Sequence, residues 1–282
     1  MKYIDSHCHM NFAVYHDDIT DVIERTKKDS VAVINIGTQA DTSERAVELA
    51  NEHEHLWAII GLHPIHTTAS YHDHDELGEQ GEEFTSRGEV FDIDSYRTLA
   101  ARSQKVVGIG ECGLDYYRNT PQTKQAQEQA FRGQIQLAIE LDLPLMLHVR
   151  PSAGSYDAYH DVLEILKEYK QEHPSLRGQA HFFAGDMNIA QQFIDLGFYI
   201  SFTGVITFAK DYEQVVREVP LDKILSETDA PYVSPAPFRG QRNEPSHVRE
   251  VVKKIAELKD LSVDEVAEQI KENVRDLYGI EY

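Results

Sequence analysis

The sequence predicts an α/β protein folded as a (β/α)8 barrel. Short apolar runs rich in β-branched residues alternate with longer stretches of helical period, the mark of βαβ units around a parallel sheet. Eight such runs occur, and no linker rich in Pro, Gly or Ser divides the 282 residues. That length suits one barrel of ordinary size, so residues 1–282 are expected to form a single domain with its reactive groups at the carboxyl ends of the strands.

The elements follow in order. "KYIDSH" (2–7) is the first strand, and the amphipathic stretch 17–29 its helix. "VAVINIG" (31–37) is apolar almost throughout, as a strand buried on both faces should be. In the helix expected over 41–53, Asp41 caps the start with Glu44 three residues on, and Ala46, Val47, Leu49 and Ala50 make the buried stripe. "LWAIIG" (56–61) is strand three, followed by an acidic loop insertion around 71–94. "KVVGIGE" (105–111), "LPLMLHV" (143–149), "GQAHFF" (178–183), "GFYISFT" (197–203) and "KILSET" (223–228) complete the strands. Helices are expected over 122–142, 156–171, 187–196 and 211–218 between them, with 246–258 and 263–277 closing the chain.

The formal net charge of −21 argues against a protein that gathers nucleic acid by long-range attraction, but not against one that takes a nucleic acid end at a metal-lined pocket. Much of the excess lies between His72 and Asp94, where nine acidic residues meet one basic residue, Arg87. Such a run reads as a solvated loop, with a metal-gathering role for His72 and His74 the lesser expectation. Cys8 and Cys112 are too few for a disulfide framework and read as half-buried free thiols. No apolar run approaches the length of a membrane span, and "MKYID" lacks the basic and apolar regions of a signal peptide, so a cytoplasmic location is expected.

Six residues of metal-ligand type fall where the barrel rule puts chemistry. His7 and His9 come with strand one, where alternation turns them to the same side. Glu111 ends strand four, His148 strand five, His181 lies in strand six, and Asp229 follows strand eight. Four imidazoles and two carboxylates suit Zn²⁺, Mn²⁺ or a similar ion better than an all-oxygen Ca²⁺ site. Six ligands exceed what one catalytic ion can use while keeping a position open, which favours two divalent ions sharing a carboxylate. Glu111 is the expected bridge, because a carboxylate offers two oxygens where a neutral imidazole offers one lone pair.

Taken together, "DSHCHMNF", "GLHP", "GIGECGLDYYRN", "LHVR", "HFFAG", "SETDAPYVSP" and "RGQRNEPSHV" resemble the TatD family of metal-dependent deoxyribonucleases, within the amidohydrolase superfamily. The resemblance implies a (β/α)8 barrel, a two-metal site carrying Zn²⁺, Mn²⁺ or Mg²⁺, and hydrolysis of DNA phosphodiesters from a 3′ end by a metal-bound hydroxide. It implies that His7, His9 and Asp229 hold one ion and His148 and His181 the other, with Glu111 between them. Single-stranded or frayed DNA is the expected partner, with no membrane, and a monomer is the expected state. Two departures stand out, the long acidic segment and an extended stretch between His148 and His181, with "PSAGSYDAYHD" as its extra residues. Both bear on substrate range, because barrel loops decide specificity.

Within that frame Asp229 is the candidate proton acceptor, His63 a donor to phosphate or leaving oxygen, and Glu227 a group that orients the site. Arg150, Arg242 and Arg118, with Arg239 near them, are candidates to grip phosphate, with a structural salt bridge the equal alternative for each. Tyr116 and Tyr117 are expected to pack between strand-end loops, with stacking on a base the lesser reading. The rival reading is an amidohydrolase acting on a lactone, cyclic amide or aminoacyl ester. Many such enzymes bridge their ions with a carboxylated lysine from strand four, whereas here the position is Glu111 and Lys105 lies at the strand's far end. A scaffold that kept the barrel without turnover is the remaining alternative.

Overall fold

In the computed structural model, residues 1–69, 71–72, 84–85, 87–118 and 120–281 are described. Eight strands form one parallel sheet in chain order: β1 (Tyr3–Cys8), β2 (Val31–Ile36), β3 (Leu56–Ile60), β4 (Val106–Asp115), β5 (Leu145–Arg150), β6 (Gly178–Ala180), β7 (Phe198–Phe202) and β8 (Ile224–Ser226). The sheet curls into a nearly closed barrel. At the seam β8 reaches β1 through a parallel bridge between Cys8 and Ala230, and the Asp229 N–H donates to the His7 carbonyl at 2.9 Å. Asp5 reinforces the seam by accepting from the Thr228 N–H at 2.8 Å and from its hydroxyl.

The helices pack outside: α1 (Ile19–Lys28), α2 (Ala40–Glu52), α3 (Ile93–Ala100), α4 (Pro121–Leu141), α5 (Asp157–Glu172), α6 (Met187–Asp195), α7 (Glu213–Glu218), α8 (Val248–Lys259) and α9 (Val263–Tyr278). Their apolar stripes face the strands. In α9, Val266, Ile270, Val274 and Leu277 are buried, each contributing about 1.5–3 kcal/mol of hydrophobic stabilisation, and Ser262 and Glu265 cap the helix reciprocally. The buried stripe of α2 is the expected one. Its start differs: the helix begins at Ala40, and Thr42 rather than Glu44 closes the turn by accepting from the Thr38 and Gln39 N–H groups at 2.9 Å.

Two further boundaries depart from the sequence reading. Helix α3 starts inside the acidic segment, capped by Asp92, which accepts from the Asp94 N–H. Only Tyr96 and Leu99 are buried on it, too few apolar residues to reveal a helical period among acidic neighbours. The insertion expected at 71–94 is described only in part; residues 73–83 and the His72 side chain lie outside the described residues, as does His74. Strand β4 also runs on beyond Glu111 to Asp115. It does so across Gly110 and Gly113, at φ 149° and 137°, where a Cβ would sit 2.5 Å from the Met146 carbonyl oxygen and 2.1 Å from that of His148. Only glycine permits so close an approach of β4 to β5, and the register shifts there between Ile109 and Cys112.

Among the described residues no helix is long and apolar enough to cross a membrane.

Candidate metal centre

All six candidate ligands meet at the carboxyl rim of the barrel. The His7 Nε2 and His9 Nε2 atoms lie 3.1 Å apart. Glu111 Oε2 is 3.5 Å from the first and 3.6 Å from the second, and Asp229 Oδ1 is 3.5 Å from each. For ligands at 2.0–2.2 Å from a tetrahedral ion, the donor-to-donor edge is about 3.3–3.6 Å, so the His7, His9 and Glu111 atoms have the spacing of a cation's coordination shell, with Asp229 Oδ1 at the same distance from both histidines. Glu111 Oε1 faces the opposite way, 2.9 Å from His148 Nδ1 and 3.0 Å from His181 Nε2. The donor set therefore fits a divalent cation beside Glu111.

The backbone explains the convergence. His7 closes β1 and His9 lies two residues on; Cys8, between them, turns its thiol to the wall, toward the Ile34 carbonyl and Asn35 at 3.8 Å. Cys112 likewise turns away, 3.5 Å from the Met146 carbonyl. Both thiols are fully buried and burial pushes both pKa values well up, so neither is a thiolate ligand. Asp229 takes a left-handed conformation at φ 56°, tolerated by aspartate, and this turn brings its carboxylate over the β1 histidines.

Second ring nitrogens settle the tautomers. His9 Nδ1 bonds the Ile36 carbonyl at 3.0 Å, leaving the Nε2 lone pair toward the centre. His148 Nε2 bonds Asp115 Oδ2 at 2.9 Å, leaving Nδ1 as the ligand atom. Asp115 was not among the sequence candidates; it lies four residues past Glu111 on the extended β4, on the same face by period two. His181 Nδ1 is 3.3 Å from Glu227 Oε1, too poorly aligned for a hydrogen bond, and His7 Nδ1 also lacks a hydrogen-bond partner.

Glu227 is fully buried inside the barrel, without an arginine. Its Oε1 accepts from the Phe182 N–H at 2.6 Å, and its Oε2 from Gln179 and Ser201 at 2.8 Å each. The Tyr278 hydroxyl of α9 in turn donates to Gln179 Oε1 at 2.8 Å. A connected polar chain thus runs from the outer helix to His181.

Burial acts against charge throughout the cluster. It pushes His7 well down, with His181 adding to the effect, so His7 is a neutral donor. Burial alone would lift Glu111, but the imidazoles of His63, His181 and His7 outweigh it and hold the carboxylate well below its usual range. In His148 and His181 burial is outweighed the other way, by Asp115 and Glu111 for the first and by Glu111 and Glu227 for the second, so both are raised.

His63 faces the same carboxylate, its Nε2 3.4 Å from Glu111 Oε1. Its Nδ1 accepts from the Ile65 N–H at 3.2 Å, and burial pushes its pKa down. The ring is therefore neutral with its proton on Nε2, a donor rather than a ligand. It both caps the turn at Pro64 and presents a proton to the centre.

The candidate phosphate residues divide. Arg150 lines the central pocket, its guanidinium 3.9 Å from the Tyr117 ring centroid. Arg242 also lines it, but both η nitrogens bond Asp18, and Nη1 also the Val14 carbonyl at 2.8 Å. That engagement ties Arg242 to Asp18 as a loop anchor. Arg118 lies over Tyr117 at 5.7 Å and Arg239 over Phe208 at 4.0 Å; neither lines the pocket. Tyr116 is buried with its hydroxyl on Asp161 at 2.8 Å, so it packs and does not stack on a base. Lys105 Nζ caps carbonyls at the far end of α2, including Ala50 at 2.8 Å, which removes it from the centre.

Comparison with known proteins agrees with this geometry. The family described as TatD related DNase matches residues 4–279. An uncharacterized metal-dependent hydrolase of Bacillus subtilis (strain 168), YabD, is 38% identical over 279 residues, covering 98% of each chain. The crystal structure of YjjV, a TatD homolog from Escherichia coli K12, superposes with a TM-score of 0.82 at 28% identity, over 99% of both chains. A dihydroorotase from Campylobacter jejuni matches with a TM-score of 0.59 at 12% identity, over 99% of this chain and 84% of its own, which speaks for the barrel alone. The chain is a metal-dependent hydrolase belonging to the family of TatD-related DNases.

Proposed function

We propose that this protein hydrolyses phosphodiester bonds of DNA, working inward from single-stranded or frayed 3′ ends with two divalent cations. The observation that supports the proposal is the orientation of Glu111: Oε2 faces His7 and His9, and Oε1 faces His148 and His181. Bound cations would supply a lowered pKa for the attacking water and charge to offset the phosphate.

The chain's own groups do the rest. Asp229 approaches the histidines through Oδ1, and its second oxygen takes the proton of the attacking water. The His63 Nε2 proton goes toward the departing sugar oxygen. Arg150, at the mouth, grips a phosphate oxygen. The central cavity, about 910 Å³, is at the upper end of small-ligand sites and takes a strand end rather than the middle of a duplex. The name of the matched family, TatD related DNase, points to the same substrate.

Digestion of end-labelled single- and double-stranded DNA by protein loaded with Zn²⁺, Mn²⁺ or Mg²⁺ tests the proposal, run beside a panel of lactones and hydantoins. Release of mononucleotides from the 3′ end is expected, with Asp229→Asn reducing turnover by about 10²–10⁴-fold. Turnover of a lactone or cyclic amide without cleavage of DNA overturns it.

A further inference from the structure

A second cavity, of about 460 Å³, opens between the loops that follow β5, β6 and β7. Ala184 and Tyr212 line both it and the central pocket, so the two are neighbours. Tyr156, Tyr212 and Met187 supply its broad apolar surfaces, and Asp186 and Asp211 its charge. Tyr156 is 39% exposed. Two of the walls are tied together beneath it, because the Ala184 N–H donates to the buried Tyr159 hydroxyl at 3.0 Å.

One wall is built from the "PSAGSYDAYHD" stretch, whose role the reaction leaves unexplained. It leaves β5 at Arg150, in the central pocket, and delivers Tyr156 to the second cavity. One loop thus spans from a phosphate-gripping cation to an exposed aromatic ring. Carboxylates at Asp186 and Asp211 repel phosphate but accept N–H groups from the amino edge of a base. Flat aromatic surfaces accept any base by stacking. The chemistry of the cavity is therefore that of a base and not of a phosphate.

We infer that this cleft is a second base site: it holds a nucleobase of the same single strand whose phosphate lies at the metal cluster, and it leads that strand out over the β5–β7 side of the rim. The inference rests on the phosphodiesterase reading, and it predicts that strand length, beyond the nucleotide being removed, contributes to affinity.

Fluorescence anisotropy of a 5′-fluorescein-labelled hexadeoxynucleotide, on Mn²⁺-loaded Asp229→Asn protein, measures that contribution, with a deoxynucleoside monophosphate titrated in competition. Adding Tyr156→Ala is expected to weaken the hexamer about tenfold and leave the monophosphate unchanged. Tyr156→Phe, which keeps the ring, should bind the hexamer as its parent does. An unchanged hexamer Kd with Tyr156→Ala, or equal weakening of both ligands, overturns the base site. The two readings fail separately. Hexamer binding that depends on Tyr156, in a wild-type protein that cleaves no DNA, keeps the base site and removes the nuclease. Cleavage with a KM indifferent to Tyr156 does the reverse.

Discussion

His148 and His181 each turn their second ring nitrogen toward a buried carboxylate, Asp115 at 2.9 Å and Glu227 at 3.3 Å. On the other side of Glu111, His9 turns its second nitrogen to a backbone carbonyl, and His7 Nδ1 has no hydrogen-bond partner. A hydrogen-bonded acceptor fixes the tautomer at His9 and His148, and the charges of Asp115 and Glu227 also make the rings they face stronger donors. The β1 side makes up the difference with a ligand that is itself charged, Asp229. Negative charge thus sits among the ligands on one side and behind them on the other. The two halves should therefore respond differently to substitution.

Glu111→Ala, which removes the group common to both halves, should have the largest effect. Both cations should be lost in metal analysis, and turnover should fall about 10³-fold or more, the equivalent of several kcal/mol of lost charge stabilisation. Retention of one cation at full affinity would show that the halves are independent sites. Asp115→Asn comes next. It keeps an acceptor for His148 but removes the charge, so calorimetric titration should show one cation weakened about 10–100-fold and the other unchanged. Equal weakening of both would break the comparison.

Proton linkage sharpens it further. Because His148 and His181 are raised above 6.5 in the ion-free protein, a cation entering that half must displace protons. Its affinity should therefore rise as pH rises from about 6.5, by at most about tenfold per unit for each proton released. Titration in buffers of differing ionisation enthalpy counts those protons, and a pH-independent affinity would contradict the raised histidines. The smallest effect is expected from Tyr278→Phe, which deletes one hydrogen bond at the far end of the chain through Gln179 and Glu227. It should cost about 0.5–1.5 kcal/mol of folding stability, a drop of a few degrees in the ion-free thermal midpoint, and weaken the same cation only slightly.

Much of the barrel was legible because its strands are short, apolar and regularly spaced, and because the barrel rule ties function to strand ends. The six ligand types could be placed by that rule before any geometry was known. Asp115 escaped because strand four was ended at Glu111; continuing the alternation through Gly113 would have found it. The Arg242 contact with Asp18 joins residues far apart in sequence, and no local pattern announces it. Gln179 and Tyr278 escaped for a related reason. A glutamine in an apolar strand and a tyrosine in an amphipathic helix look ordinary until packing joins them.

The seam of the barrel has a consequence for biosynthesis. Asp229 is made more than two hundred positions after His7 and His9, yet the Asp229 N–H closes onto the His7 carbonyl and its carboxylate onto both imidazoles. A nascent chain still lacking β8 has neither a sealed wall nor a full ligand set. Cation uptake at this half is thereby reserved for polypeptides whose β1 and β8 have already met.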